Sequence, residues 1–86
     1  MELEKYTASL QDKSKNTIRT YVSNYSRMRK HFDKDIVDVP NEELLEHIDA
    51  QTSSNTKNGF LTMCIQVKRM NGMNITDLID YREINR

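Results

Sequence analysis

Glycine and proline are scarce in this sequence, and it contains no long apolar run. Its 86 residues include two glycines and one proline, a composition that favours helices over a turn-rich β fold. No apolar segment approaches the ~20 residues that a membrane-spanning helix needs. The first residues lack the basic start and apolar core of a secretory signal. We therefore expect a single small all-α domain over residues 1–86, without a membrane partner.

Cysteine and histidine are also too few to build a metal site. Cys64 is the only cysteine, so it cannot form an internal disulfide, and its place among apolar residues indicates a small buried side chain. His31 and His47 do not share a metal-ligand spacing with it. His47 lies at the edge of an apolar stripe, with no nucleophile at a recognisable spacing. We expect no catalytic residue, no metal and no cofactor.

The net charge is zero, but the charges are segregated along the chain. Residues 13–34 carry seven basic side chains and one acidic one, whereas residues 35–50 carry six acidic side chains and no basic one. Residues 51–74 carry three basic side chains and no acidic one. Zero net charge argues against a nucleic-acid binder, yet separated charges can orient a protein on DNA.

The longest periodic stretch runs from Ser14 to Phe32, and we expect the rest of the chain to be organised around it. Ser14 is suited to cap a helix. The apolar residues that follow recur at helical spacing; they are Ile18, Tyr21, Val22, Tyr25, Met28 and Phe32. The opposite face is basic and polar; it carries Lys15, Arg19, Ser23, Arg27 and Lys30. On charge alone, such a face is most simply a solvated surface.

Shorter patterns predict the remaining elements. Leu3–Leu10 has the spacing of a short leading helix, and residues 36–39 form an apolar connector that ends before Pro40. Asn41 is suited to cap an acidic helix. Another helix is expected over about Asn55–Met70, and Thr76 is expected to cap the last one.

Gly59 lies inside the predicted helix Asn55–Met70, where glycine lowers helix propensity by about 1 kcal/mol relative to alanine. Two explanations stay open at this point. The missing side chain allows a backbone, that of another helix or of DNA, to approach closely, or the glycine has no special role.

The pattern Ser14-x-x-Thr17-x-x-x-Tyr21, continued by Tyr25, Met28 and Phe32, resembles the opening helix of a known domain. That domain is the core-binding, SAM-like domain of tyrosine recombinases, the phage-integrase superfamily. A second Ser/Thr-rich start resembles a later helix of the same domain; it comprises residues 53–56, followed by Phe60, Leu61, Cys64, Ile65 and Val67. The resemblance implies a small orthogonal bundle of about four or five short helices.

In that family the domain forms half of a clamp around duplex DNA, and a larger catalytic domain follows it. The positions that match are Ser14, Thr17, Tyr21, Ser54, Asn55 and Thr56. The residue at Tyr21 belongs to the core and is not the nucleophile. The family's catalytic His-x-x-Arg signature is absent, since Lys34 follows His31 and Ala50 follows His47 at that spacing. The resemblance thus implies a non-enzymatic N-terminal part of a longer recombinase from a virus or mobile element.

Both helix starts combine hydroxyl and amide side chains with lysine, the residue types that hold a DNA backbone. The predicted DNA-binding residues are Lys13, Ser14, Lys15, Asn16, Thr17, Arg19, Thr20, Ser54, Asn55, Thr56, Lys57 and Asn58. Asn16, Arg19, Thr20 and Asn58 are the ones that could reach base edges. The expected partners are duplex DNA, the catalytic domain of the same chain and further copies on DNA, at an intracellular site where the DNA is.

Two alternatives belong to other classes. A small helical protein-interaction module would use the acidic helix and exposed tyrosines as its contact surface, without binding DNA. A helix-turn-helix regulator is less well supported, because residues 51–54 lack the short glycine-containing turn of that motif.

Overall fold

Within residues 2–84, which a computed structural model describes, the chain forms five α-helices and one turn of 3-10 helix. The α-helices are α1 (Glu2–Ser9), α2 (Lys15–Phe32), α3 (Asn41–Asp49), α4 (Ser54–Met70) and α5 (Thr76–Ile84). The 3-10 turn, Ile36–Asp38, joins α2 to α3. This part of the chain contains no strand, so the expected all-α class is confirmed.

The central helix of the bundle is α4. It packs against α2, α3, α5 and the 3-10 turn, and its buried side chains point in several directions; they are Phe60, Leu61, Met63, Cys64, Ile65, Val67 and Lys68. The expectation that α2 organises the molecule is therefore wrong. The physical reason is that α2 has a wide exposed basic face, whereas α4 has few charges and can be covered on most sides.

The apolar stripe expected on α2 faces the core, but it is only partly covered near the start of the helix. Tyr25 and Met28 are fully buried, whereas Ile18, Tyr21 and Val22 are half-buried. In the leading helix α1, Tyr6 is buried, its ring stacks on Tyr25 at 5.7 Å, and its hydroxyl donates to Oε1 of Gln66 at 2.8 Å. Helix α1 thus covers α2, and the leading helix predicted from its apolar spacing is confirmed.

The connector between α2 and α3 is buried, as expected, and α4 holds it through a lysine. Ile36 and Val39 are fully buried. Lys68 is only 3% exposed, and its Nζ donates to the backbone oxygen of Val39 at 2.7 Å. Burial lowers the pKa of Lys68, and the thiol of Cys64 and the carboxylate of Asp38 oppose that shift. The hydrogen bond satisfies one donor of a charge that would otherwise be costly to bury.

Two helix starts differ from the sequence expectation, and Asn74 contacts a residue at each of them. Asn41 is the first helical residue of α3, after Pro40 in the cap position, and its Nδ2 donates to the backbone oxygen of Asn74 at 2.9 Å. The backbone amide of Thr76 donates to Oδ1 of Asn74 at 2.9 Å. Asn74 therefore caps α5 and ties it to α3, so Asn41 and Thr76 are not the caps.

Candidate nucleic-acid interface

The first helix start has the cap that the sequence predicts. Ser14 is in an extended conformation, and its Oγ accepts from the backbone N–H of Thr17 at 3.2 Å. The same hydroxyl donates to Oγ1 of Thr17 at 2.9 Å. One of the four free N–H groups of the helix start is thereby satisfied, and the others remain for an external acceptor.

The side chains around this cap are mostly exposed. Lys13, Lys15, Asn16 and Arg19 are exposed, whereas Thr17 is half-buried. Thr20 is exposed too, but its hydroxyl donates to the backbone oxygen of Asn16 at 3.0 Å. That hydroxyl is left with its lone pairs, so it can accept a hydrogen bond from a base amino group.

The second helix start is capped one residue earlier than the matched positions suggest. Ser53 is the cap, and its Oγ accepts from the backbone N–H of Thr56 at 3.4 Å. Ser54 is the first helical residue, and together with Asn55 and Asn58 it is exposed. Thr56 and Lys57 are half-buried. A hydroxyl and two amides therefore surround the free N–H groups at this start.

The two starts belong to helices that pack against each other, although no hydrogen bond or ion pair within residues 2–84 links one start to the other. Helices α2 and α4 meet at Asn24 and Gly59, and again at Met28 and Cys64. Asn24 lies nine residues after Lys15, about 14 Å along α2 at 1.5 Å per residue. The packing of α2 on α4 at these two contacts therefore holds the two starts in one relative orientation.

The charges near the two starts have no acidic neighbours in sequence. No aspartate or glutamate occurs in residues 13–32 or 50–76. Lys13, Lys15, Arg19 and Lys57 have no ion-pair partner among residues 2–84. Arg29 is different, because its Nε lies 2.6 Å from Oδ1 of Asp35, which raises the pKa of Arg29. Only the unpaired cations offer their full charge to an anion.

Sequence reasoning missed a ring cluster formed by α2, α3 and α4. The imidazoles of His31 and His47 stack with centroids 3.9 Å apart, and His47 also stacks on Phe60 at 5.9 Å. The ring of Phe32 meets both imidazoles edge-on. The sequence places His47 only at the edge of a stripe, and no local pattern signals that residues 16 positions apart stack.

The possible metal ligands and the cysteine are the remaining side chains to place relative to these surfaces. Within residues 2–84, no three His, Cys, Asp or Glu side chains come together as a possible metal site. Cys64 is fully buried, and burial raises the pKa of its thiol to about 12. Its Sγ lies 3.7 Å from Sδ of Met28, so it is a packed core residue, as predicted.

Comparisons with known proteins gave no match to a family model, to a curated protein or to a solved structure. Among the helices of residues 2–84, none has the length and apolar character to cross a bilayer. The two helix starts, the charges around them and the motif resemblance are therefore the features that indicate a function.

Proposed function

We propose that this chain is the DNA-binding, core-binding domain of a tyrosine recombinase, which holds duplex DNA through the starts of α2 and α4. In this proposal a following catalytic domain carries out site-specific recombination, and the chain itself is not an enzyme. The observation that carries the proposal is the pairing of two hydroxyl-capped helix starts with unpaired cations on acid-free stretches.

The mechanism follows from the chemistry of a helix start. Free N–H groups and the partial positive charge of the helix dipole favour a phosphate at such a position. Lys13, Lys15 and Lys57 add charge next to these groups, and they hold the backbone without reading sequence. Asn16 and Arg19 lie within the first two turns of α2, where an amide can pair with adenine and a guanidinium with guanine.

The acidic helix α3 determines which side faces the DNA. Its exposed carboxylates would repel phosphate, so we place it away from the duplex. The proposed site of action is intracellular, with DNA as the main partner and further copies of the chain bound alongside. The zero net charge predicts weak binding by the isolated domain, because long-range attraction is small.

The proposal is tested by fluorescence anisotropy with duplex DNA at several salt concentrations. Replacing Lys15, Arg19 and Lys57 with alanine should weaken binding and lower the salt slope by about one unit for each phosphate that is no longer neutralised. A matched control replaces Lys5, Lys34 and Arg82, which removes the same charge from exposed positions elsewhere. Equal losses in both triple variants, or unchanged binding in the first, would exclude this DNA surface.

A protein-interaction module without DNA binding is the second candidate, and the structure changes what it could use. Tyr6 and Tyr25 are buried, Tyr21 is half-buried, and the hydroxyl of Tyr81 donates to Asp49 at 2.9 Å. The expectation of exposed tyrosines as a contact surface is therefore wrong. The acidic face of α3 remains, and absence of DNA binding even at low salt would favour this candidate.

A further inference from the structure

The ring cluster forms a stacked column that ends at the surface. At one end the guanidinium carbon of the exposed Arg27 lies 5.2 Å from the ring centroid of Phe60. The rings of Phe60, His47 and His31 then follow in sequence, with interplanar angles of 25° and 19°. Phe60 is buried, His47 is half-buried and His31 is exposed. The column therefore presents the edges and faces of flat rings to an outside group.

A shallow groove of about 260 Å³ lies beside the exposed end of this column. It is lined by His31, Phe32, Glu43, Glu46, His47 and Ala50. Glu43 and Glu46 are three residues apart on α3, so both carboxylates lie on one side of that helix. Both are exposed, and neither has an ion-pair partner among residues 2–84.

The two carboxylates that line the groove, those of Glu43 and Glu46, are both acidic. Residues 35–50 contain six acidic side chains and no lysine or arginine. One cation is close to the column, because the exposed Arg27 lies over Phe60 and its charge contributes to the lowered pKa of His47. A groove with a ring-lined floor and carboxylates along one side is complementary to a cation with a flat face, and it repels phosphate.

We propose that this groove is a docking site for an arginine side chain of a partner protein. A guanidinium group is planar, stacks on aromatic faces and forms paired hydrogen bonds with carboxylates. The chain already places one guanidinium, that of Arg27, against a ring of the same column. Lysine fits less well, because its ammonium is compact, strongly hydrated and cannot stack.

This surface goes beyond the proposed DNA-binding function and shares no residue with it. The DNA surface is at the starts of α2 and α4, whereas the groove uses the end of α2 and the outer face of α3. Because the two surfaces share no residue, we expect DNA bound at the two helix starts to leave the groove open. The partner is thus a protein with an exposed arginine in a basic segment, bound at the same time as DNA.

The test is an NMR titration of the whole 86-residue chain with N-acetyl-Gly-Arg-Gly-amide, following the side-chain protons of His31 and His47. The same peptide with lysine in place of arginine is the chemical control. We expect the arginine peptide to shift both imidazoles and to bind at least about fivefold more tightly than the lysine peptide. Equal affinity for the two peptides would show that stacking of the guanidinium does not contribute to binding. If neither peptide shifts the imidazole resonances, the whole proposal is overturned.

Two variants locate the site. Replacing Glu43 and Glu46 with glutamine should weaken binding of the arginine peptide about tenfold, because the charged acceptors are removed. Replacing Glu42 with glutamine and Asp80 with asparagine removes the same charge from exposed positions outside the groove, and should change binding less than about twofold. Equal weakening in both variants would mean non-specific attraction and would overturn the site.

Two further readouts separate this proposal from other outcomes. Sedimentation of the wild-type chain tests whether a second copy of the chain occupies the groove. The partner proposal would be overturned if the wild-type chain self-associates, the Glu43/Glu46 variant does not, and the peptide has no effect. DNA binding by that variant should be unchanged or slightly tighter. The Lys15/Arg19/Lys57 variant should bind the peptide normally, so failure of one function is distinguishable from failure of the other.

Discussion

Gly59 of α4 faces Asn24 of α2 so closely that a Cβ atom at residue 59 would lie 2.8 Å from Nδ2 of Asn24. Asn24 is buried, so its side chain has little room to move away. The sequence is compatible both with a glycine that allows a close approach and with one that has no role. The neighbour belongs to another helix, but it is a side chain, so the expected close approach of a backbone is wrong.

Replacing Gly59 with alanine should destabilise the fold, although alanine is the better helix former. Helix propensity favours the change by about 1 kcal/mol, but overpacking against Asn24 costs about 1–3 kcal/mol. We expect a net loss of up to about 2 kcal/mol in the free energy of unfolding, measured by urea denaturation.

The matched control is the double variant Asn24→Ala with Gly59→Ala. Removing the amide makes room for the new methyl group, so the double variant should be more stable than the sum of the two single changes predicts. Strict additivity would mean that the two residues do not compete for the same space.

Much of this fold could be predicted because its signals are local. The apolar spacing of α1 and α2 and the cap at Ser14 each depend on residues within one helix. The start of α5 could not be read in this way, because Asn74 caps it while also binding Asn41, 33 residues away. Thr76 looks like the cap only because hydroxyl residues are common there.

The same distinction between local and long-range signals applies to the candidate site. The exposed, unpaired state of Lys15 and Arg19 follows from their place on a helix face without acidic neighbours. The stacking of His31 on His47 depends on how α3 packs against the end of α2, which no periodicity encodes. Lys68 shows the same limit, since its sequence neighbours do not indicate that its ammonium is buried against Val39.

Ser14→Ala should lower the free energy of unfolding by about 1 kcal/mol, because the Thr17 amide loses its acceptor. Ser14→Gly should lower the free energy of unfolding by only about a few tenths of a kcal/mol, since glycine keeps the extended cap conformation accessible. Ser53→Ala should cost less than Ser14→Ala, because its bond to the Thr56 amide is longer, 3.4 Å against 3.2 Å. Urea midpoints check the order, and a Ser14→Ala midpoint equal to that of the wild-type chain would show that the hydroxyl contributes nothing.

The stability of the domain should depend on His47 below neutral pH. Burial lowers the pKa of His47, and the neighbouring His31 and Arg27 lower it further. The unfolded chain, with an ordinary histidine pKa near 6.5, therefore binds its proton first. The contribution of His47 to the free energy of unfolding should therefore be at its maximum above about pH 6.5. It should decrease as the pH falls through the lowered pKa of the folded state.

His47→Phe keeps a flat ring in the column but removes the titrating group. Its unfolding free energy should fall less than that of the wild-type chain between about pH 7 and pH 5. The difference between the two pH profiles isolates His47 from the carboxylates, which titrate in both proteins. Parallel profiles would show that protonation of His47 is not linked to folding.

Cys64 should react with a thiol reagent only when the bundle opens. The side chain is fully buried, and its pKa of about 12 leaves almost no thiolate near neutral pH. Labelling by a disulfide reagent at pH 8 should therefore be slow in native conditions and fast in urea, with a rate set by the population of open molecules. The Gly59→Ala variant provides a control, because a loss of stability should accelerate labelling by the same factor as it raises that population. Fast labelling of the wild-type chain with unchanged helical circular dichroism would instead show that α2 separates from α4 locally, which would also expose the contact that orients the two proposed DNA-binding helix starts.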